Sequence, residues 1–154
     1  KYSKASETLD RFLSKYPSEA HGHGARYYLG QSLLFGGKTK ESIPAFQATI
    51  ENLGKTPDSV EARLYLGRAY LDSDLFTEAY LVSEEIIKIT GIHSTYRSKA
   101  LLLRAQAQVG LKQNVEAEKT LASFQAAADQ DPELENELAN SFLISLLLKG
   151  NRCD

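Results

Sequence analysis

The 154-residue sequence predicts an all-α fold, an α-solenoid of about eight helices stacked as antiparallel pairs. Three observations predict it. Glycine and proline punctuate the chain at Pro17, Gly36-Gly37, Gly54…Pro57, Gly91, Gly110 and Pro132. Between these breaks stand good helix formers with apolar residues at three- and four-residue spacing, while Val and Ile are too scattered for period-two strands. The chain also repeats itself. ARYYLGQSLLFGGKTKESIPAF (Ala25–Phe46) lines up with ARLYLGRAYLDSDLFTEAYLVS (Ala62–Ser83), and then with ALLLRAQAQVGLKQNVEAEKTL (Ala100–Leu121).

The elements follow in order. A helix over 2–16 carries Ala5, Leu9 and Phe12 and closes at Pro17. The next, 19–35, is predicted to start at a Ser18 cap with Glu19 complementing the helix dipole. Gly22 and Gly24 are expected to loosen its first turn or to permit close approach of another helix, and Gly36-Gly37 to end it. A third helix, 40–53, contains Pro44 beyond its first turn, where the missing N–H should bend or delay it. Helices over 58–72, 75–89, 95–109 and 114–129 fill the following intervals. The last, 133–148, is apolar around most of its circumference from Leu138 to Leu148, where a terminal helix should present a polar outer face.

Small residues recur at fixed positions: Gly30, Gly67 and Ala105 in first helices, Ser42, Ala79 and Ala117 in second helices. They should let a paired helix approach closely, with Leu29, Leu33 and Phe46, then Leu66, Tyr70 and Ile86, filling the remaining space. One helix pair cannot bury its own apolar face, so neighbouring pairs must stack into a continuous core.

The Leu29-Gly30…Leu33 and Leu66-Gly67…Tyr70 runs, with Glu78-Ala79 and Glu116-Ala117, resemble the tetratricopeptide repeat. Lys4–Pro17 resembles the second helix of such a repeat. The resemblance implies a single domain over 1–154: a half repeat at 1–17, repeats at 18–54, 55–91 and 92–131, and a C-terminal helix at 132–154. The absence of any methionine, the initiating one included, implies a fragment of a longer protein. The sequence departs from the pattern at Gln108, where an aromatic or leucine is expected, and at Ser83, where a large side chain is expected. Its spacings, Gly30 to Gly67 and Gly67 to Ala105, exceed the family's usual repeat of about 34 residues, which implies longer turns. The Phe12–Ala20 junction is similar to those of bacterial cell-envelope repeat proteins, a cue toward the periplasm or cell envelope, with the cytoplasm as the alternative.

Composition narrows the function. Lys plus Arg number 18 against 20 Asp plus Glu, a balance without the basic footprint of a nucleic-acid binder. The longest apolar run, Phe142–Leu148, is far short of the roughly 20 residues of a membrane span. The single cysteine, Cys153, forms no internal disulfide and belongs to no zinc spacing. His21 and His23 point roughly 200° apart on a helix and cannot share a metal, and His93 sits in another junction. The carboxylates Glu84-Glu85, Asp72, Asp74, Glu133, Glu135 and Glu137 read as helix-surface and helix-start charges. No nucleophile–base constellation occurs, so the expectation is a chain with neither catalysis, metal nor cofactor.

What remains is a surface for a protein or peptide. The resemblance places first helices on the concave side. Turned away from the seam there are Tyr27, Gln31 and Leu34, then Leu64, Arg68 and Leu71, then Leu102, Gln106 and Val109. A Gln31–Arg68–Gln106 ladder between apolar rows would hydrogen-bond a peptide backbone while the rows take side chains. The alternative is that the apolar rows simply pack against neighbouring helices. Phe142 and Leu146 mark a second face, for a further repeat, a partner, or a homo-oligomer through the C-terminal helix. The function classes are therefore a binding scaffold, a self-association module, or a peptide sensor attached to an effector domain.

Overall fold

A computed structural model describes residues 1–17, 22–129 and 131–150. The expected Ser18 cap, Glu19, His21 and Cys153 lie outside these residues, and His23 stands in the first turn of a helix. Eight α-helices occur among the described residues: α1 (Tyr2–Lys15), α2 (Gly22–Phe35), α3 (Thr39–Leu53), α4 (Val60–Leu71), α5 (Phe76–Lys88), α6 (Ser94–Gly110), α7 (Asn114–Ala128) and α8 (Glu135–Gly150). Short 3₁₀ turns at Pro57–Ser59 and Pro132–Leu134 lead into α4 and α8. Consecutive helices pack on one another, and α4 also meets α2 and α6, as α6 meets α8. This is the all-α solenoid.

The turn inside each pair is the same device three times. Gly37, Asp74 and Lys112 adopt φ of 81°, 59° and 60°. The following amide bonds five residues back each time: Lys38 N to Leu33 O, Leu75 N to Tyr70 O, Gln113 N to Gln108 O, all at 2.9 Å. This is a Schellman closure, in which a left-handed residue lets the last carbonyls find donors. Glycine meets that requirement without strain; Asp74 and Lys112 carry a Cβ into it.

The first three junctions, before α2, α4 and α6, are each held by an arginine. Arg26 donates to Pro17 O and Arg63 to Gly54 O, both at 3.1 Å, and Arg97 donates to Ile87 O at 2.7 Å. Arg63 is buried, donates also to Ser59 Oγ at 3.1 Å, and forms an ion pair with Glu85 of α5. The A-R step shared by Ala25-Arg26 and Ala62-Arg63 is therefore a clamp on the end of the preceding helix.

The seam residues pack in two ways. A Cβ on Gly30 would lie 2.7 Å from the Phe46 ring, so α2 and its own partner α3 meet there. On Gly67 a Cβ would overlap Leu103, which comes from α6 of the next pair and not from the paired helix α5. Ser83 explains the difference. It stands where α3 has Phe46, is fully buried, and is too small to cover Gly67, so Leu103 fills the space. Ser83 Oγ is satisfied by Tyr80 O at 2.6 Å. Ser42, Ala79, Ala105 and Ala117 are all fully buried.

Two expectations need correcting. Pro44 does not delay its helix, since α3 already starts at Thr39; Lys40 and Pro44 are exposed, which puts the missing backbone bond on the outer side. Several carboxylates read as surface charges instead tie helices together. Glu84 pairs with Arg104 at 2.8 Å, Glu85 with Arg63, and Glu137 of α8 with Lys99 of α6 at 3.6 Å. Periodicity along one helix carries no information about partners on another.

Candidate functional site

The face built by α2, α4 and α6 brings together groups far apart in sequence. Glu61, in the first turn of α4, accepts hydrogen bonds from hydroxyls on both flanking helices: Tyr27 Oη of α2 at 3.1 Å and Tyr96 Oη of α6 at 3.0 Å. Gln31 Nε2 donates to Tyr27 Oη at 3.0 Å. Burial pushes the Tyr27 phenol above its ordinary range, and the Glu61 charge and hydrogen bond add to this. The hydrogen bond to Glu61 raises Tyr96 as well, with burial second. Both phenols thus stay protonated donors to one carboxylate.

Aromatic packing holds the scaffold of this face. Tyr65 stacks on Phe46 with centroids 5.8 Å apart and planes 9° from parallel, and Tyr27 meets Tyr65 edge-on at 6.0 Å. Phe35 stands perpendicular to Tyr65 at 5.9 Å. A cavity of about 250 Å³ opens between α4 and α6, lined by Glu61, Leu64, Tyr65, Arg68, Tyr96 and Lys99. A smaller one of about 140 Å³, which includes Tyr27, Asp58 and Ala62 in its lining, lies on the other side of Glu61. The two cations of the cavity between α4 and α6 each have one carboxylate partner, Arg68 the exposed Asp72 of its own helix end at 2.8 Å and Lys99 the half-buried Glu137 of α8 at 3.6 Å. An exposed pair such as Arg68–Asp72 is worth about 0–1 kcal/mol, so an incoming carboxylate competes with it readily.

A third group of polar side chains lies at the start of α6. His93 caps the helix, with Nδ1 2.8 Å from Thr95 Oγ1, and Thr95 donates its hydroxyl to Asp131 at 2.7 Å. Thr95 is buried and its proton goes to a carboxylate, so the set acts as a latch between α6 and the 3₁₀ turn before α8. Among the described residues, no group of three or more His, Cys, Asp or Glu side chains is placed to hold a metal ion.

Residues 27–86 match the tetratricopeptide repeat family. The matched span runs from Tyr27 to Ile86 and so takes in both types of seam, Gly30 on Phe46 and Gly67 on Leu103. Tetratricopeptide repeats generally mediate protein–protein interaction and are typically non-enzymatic scaffolds. No curated protein and no solved structure matches the chain. No helix of the described residues is long and apolar enough to cross a membrane.

On the stacked helix pairs, the predicted surface residues divide. Tyr27 and Gln31 belong to the Glu61 network, and Leu64 and Arg68 line the larger cavity. Leu34 and Leu102 are 8% and 6% exposed and belong to the core, so they present no side chain to a partner. Leu71 packs partly against that core, while Gln106 and Val109 are half-buried on α6. Phe142 and Leu146 stand out on α8, 58% and 64% exposed. Sequence reasoning missed Glu61, Tyr65, Tyr96 and Lys99. Tyr65 had a signal in the shared A-R-x-Y step, whereas Glu61 looks like any acid at a helix start.

Proposed function

We propose that the chain is a protein-interaction scaffold that takes a peptide or a partner's helix on the concave face of the stack. The observation that carries this reading is the cavity between α4 and α6, with Leu64 and Tyr65 as apolar wall and Arg68 and Lys99 as cations. A partner segment would place an apolar side chain on Leu64 and Tyr65, and a carboxylate on the cations in exchange for Asp72 and Glu137. Tyr27, Gln31, Gln106 and Val109 extend the face to either side, and the Glu61 network keeps α2, α4 and α6 in register beneath it.

Panning a displayed peptide library against the chain supplies a ligand for the test. Arg68→Glu abolishes capture, a loss of at least about tenfold, or 1.4 kcal/mol. The thermal midpoint does not move, because Arg68 is exposed and its pair with Asp72 is a surface pair. Undiminished capture by the folded variant removes the groove.

A specific observation also favours a self-association reading. Phe142, Leu143, Leu146 and Leu147 of α8 are each 58–64% exposed, an apolar surface that a soluble helix rarely leaves open. The Phe12–Ala20 junction supports a place for such a module within a larger cell-envelope protein. If Phe142→Asp or Leu146→Asp gives a folded monomer that still captures the peptide, α8 serves assembly and the groove serves recognition.

A further inference from the structure

The junctions that α2 and α4 begin share one plan and are filled differently. At the interval that separates Gly30 from Gly67, Arg26 and Leu33 of α2 correspond to Arg63 and Tyr70 of α4. Ala45 and Ala48 of α3 correspond to Val82 and Glu85 of α5, and Ser6, Asp10 and Leu13 of α1 to Ile43, Gln47 and Ile50 of α3. The later set closes on itself. Arg63 pairs with Glu85, and Gln47 Nε2 donates to Tyr70 Oη at 3.0 Å. Tyr70 and Val82 are buried, with Ile43 and Ile50 packed against the same core.

In the earlier set all but Leu13 and the arginine are smaller, and a cavity of about 450 Å³ opens between α1, α2 and α3. Its charged lining is Glu7, Asp10, Arg26, Lys38 and Glu41. Lys38 and Glu41 pair with each other at 3.6 Å, and Glu7 accepts from Ser3 Oγ at 3.0 Å. Among the described residues, neither Asp10 nor Arg26 has an oppositely charged partner. Ala48 stands where Glu85 meets the arginine, and Leu33 where a hydroxyl faces Gln47. Arg26 donates to Pro17 O, just past the end of α1, and Asp10 lies roughly 10 Å back along that helix. The cavity does not depend on what adjoins α1. Leu9 stands where Phe46 meets Gly30, so it faces any helix paired with α1, and it is not part of the lining.

We propose that this cavity takes an extended peptide segment of a partner protein, with an acidic side chain on Arg26 in the place of Glu85 and a basic side chain on Asp10. It is a second site, lined by other residues than the cavity between α4 and α6, and so goes beyond the reading of that groove. Arg26 spends one printed donor on Pro17 and keeps others for a carboxylate, which it can meet in a charge-assisted, forked pair. Glu7, one turn from Asp10, adds its charge on the side of the basic residue. Leu13 and Leu29 supply apolar wall for the residues between. Residues three apart in a polyproline II segment lie on one side of it, about 9 Å from each other, which matches the spacing of the two charges.

Titration of the 154-residue chain with blocked tetrapeptides, followed by the chemical shifts of its amides and of the Arg26 Nε–H, tests this. The probes are acetyl-Glu-Pro-Pro-Lys-amide and its reverse, acetyl-Lys-Pro-Pro-Glu-amide, which cover both directions along the cavity. One of them moves signals of α1 to α3 with a Kd on the order of 1 mM or below. Replacing its Glu or its Lys by Gln weakens binding about tenfold. Ala48→Glu supplies from within the carboxylate that Glu85 gives Arg63, and the folded variant no longer binds. Asp10→Asn, at an exposed site, weakens the unaltered peptide about tenfold and leaves the peptide with Gln for Lys unaffected. A merely structural role would weaken both alike, so this variant is decisive if Ala48→Glu does not fold. The site is overturned if no signal of α1 to α3 moves up to about 20 mM peptide, or if Ala48→Glu binds as before. Equal losses of both peptides with Asp10→Asn overturn it too. Shifts confined to α4 and α6 assign the peptide to the groove between them and leave this cavity without it.

Discussion

Glu61 accepts from Tyr27 and Tyr96, so the ionisation of two of the eight tyrosines reports on the face where a partner is proposed to bind. Both phenols are raised above the ordinary value near 10, so their contribution is fully present below about pH 10 and is lost as pH rises through the raised values. An absorbance titration of the phenolate band should therefore show two tyrosines ionising late. Glu61→Gln removes the charge and brings both back toward the bulk; an unaltered curve would mean that the carboxylate does not join the helices in solution. Tyr27 was legible as a surface residue because it begins a stripe. Glu61 was not, because an acid in a first turn is already accounted for by the helix dipole.

At the scale of the helix pair, the repeat period located the seams, and the packing shows what each seam costs to alter. Gly67→Ala forces a methyl group against Leu103 and should destabilise the chain by about 1–3 kcal/mol, read from urea denaturation. Adding Leu103→Ala to that variant should cost less than the two changes summed, since both alter one contact. Gln108 shows the opposite case. It holds the position of Tyr70 and Leu33, is 6% exposed, and its side-chain oxygen has no hydrogen-bond partner among the described residues. Gln108→Leu should raise stability by about 1–2 kcal/mol; a loss in denaturation would show that the amide is satisfied after all. The departure at Gln108 was visible in the sequence as a break in the pattern. That Ser83 is compensated by Leu103 was not, because the filler comes from the next pair.

At the scale of the whole molecule, the buried residues among those described form two cores, one shared by α2 to α6 and one joining α6, α7 and α8. The latch between Thr95 and Asp131 lies at the entry to the second. The Thr95 hydroxyl is the chief cause that holds the Asp131 carboxyl below its ordinary range, with the Glu133 amide assisting. A depressed carboxyl stabilises above the unfolded value of about 4, and that stability is lost as pH falls through the lower folded value. Hydrogen exchange in α8 should therefore accelerate on acidification below about pH 4 before exchange in α4 does. Asp131→Asn should make α8 exchange quickly at neutral pH and remove most of the acid step; equal responses of the two helices would separate the latch from the docking of α8.

The sequence by itself determined the eight helices, most of the breaks between them and the small-residue seams. Each of these is set by neighbours within a few residues or by a period that the chain repeats. Only the tertiary structure decided which faces those helices turn inward. Leu102 holds the repeat position of Leu64, yet it enters the core while Leu64 lines a cavity; Leu34, at the position of Leu71, is buried as well. A first helix in a stack has a partner on its own pair and neighbours on either side, so its inward arc depends on how much each neighbour fills. The Glu61 network, the arginine clamps and the cavity between α1, α2 and α3 are likewise relations between helices. No stripe along a single helix encodes them.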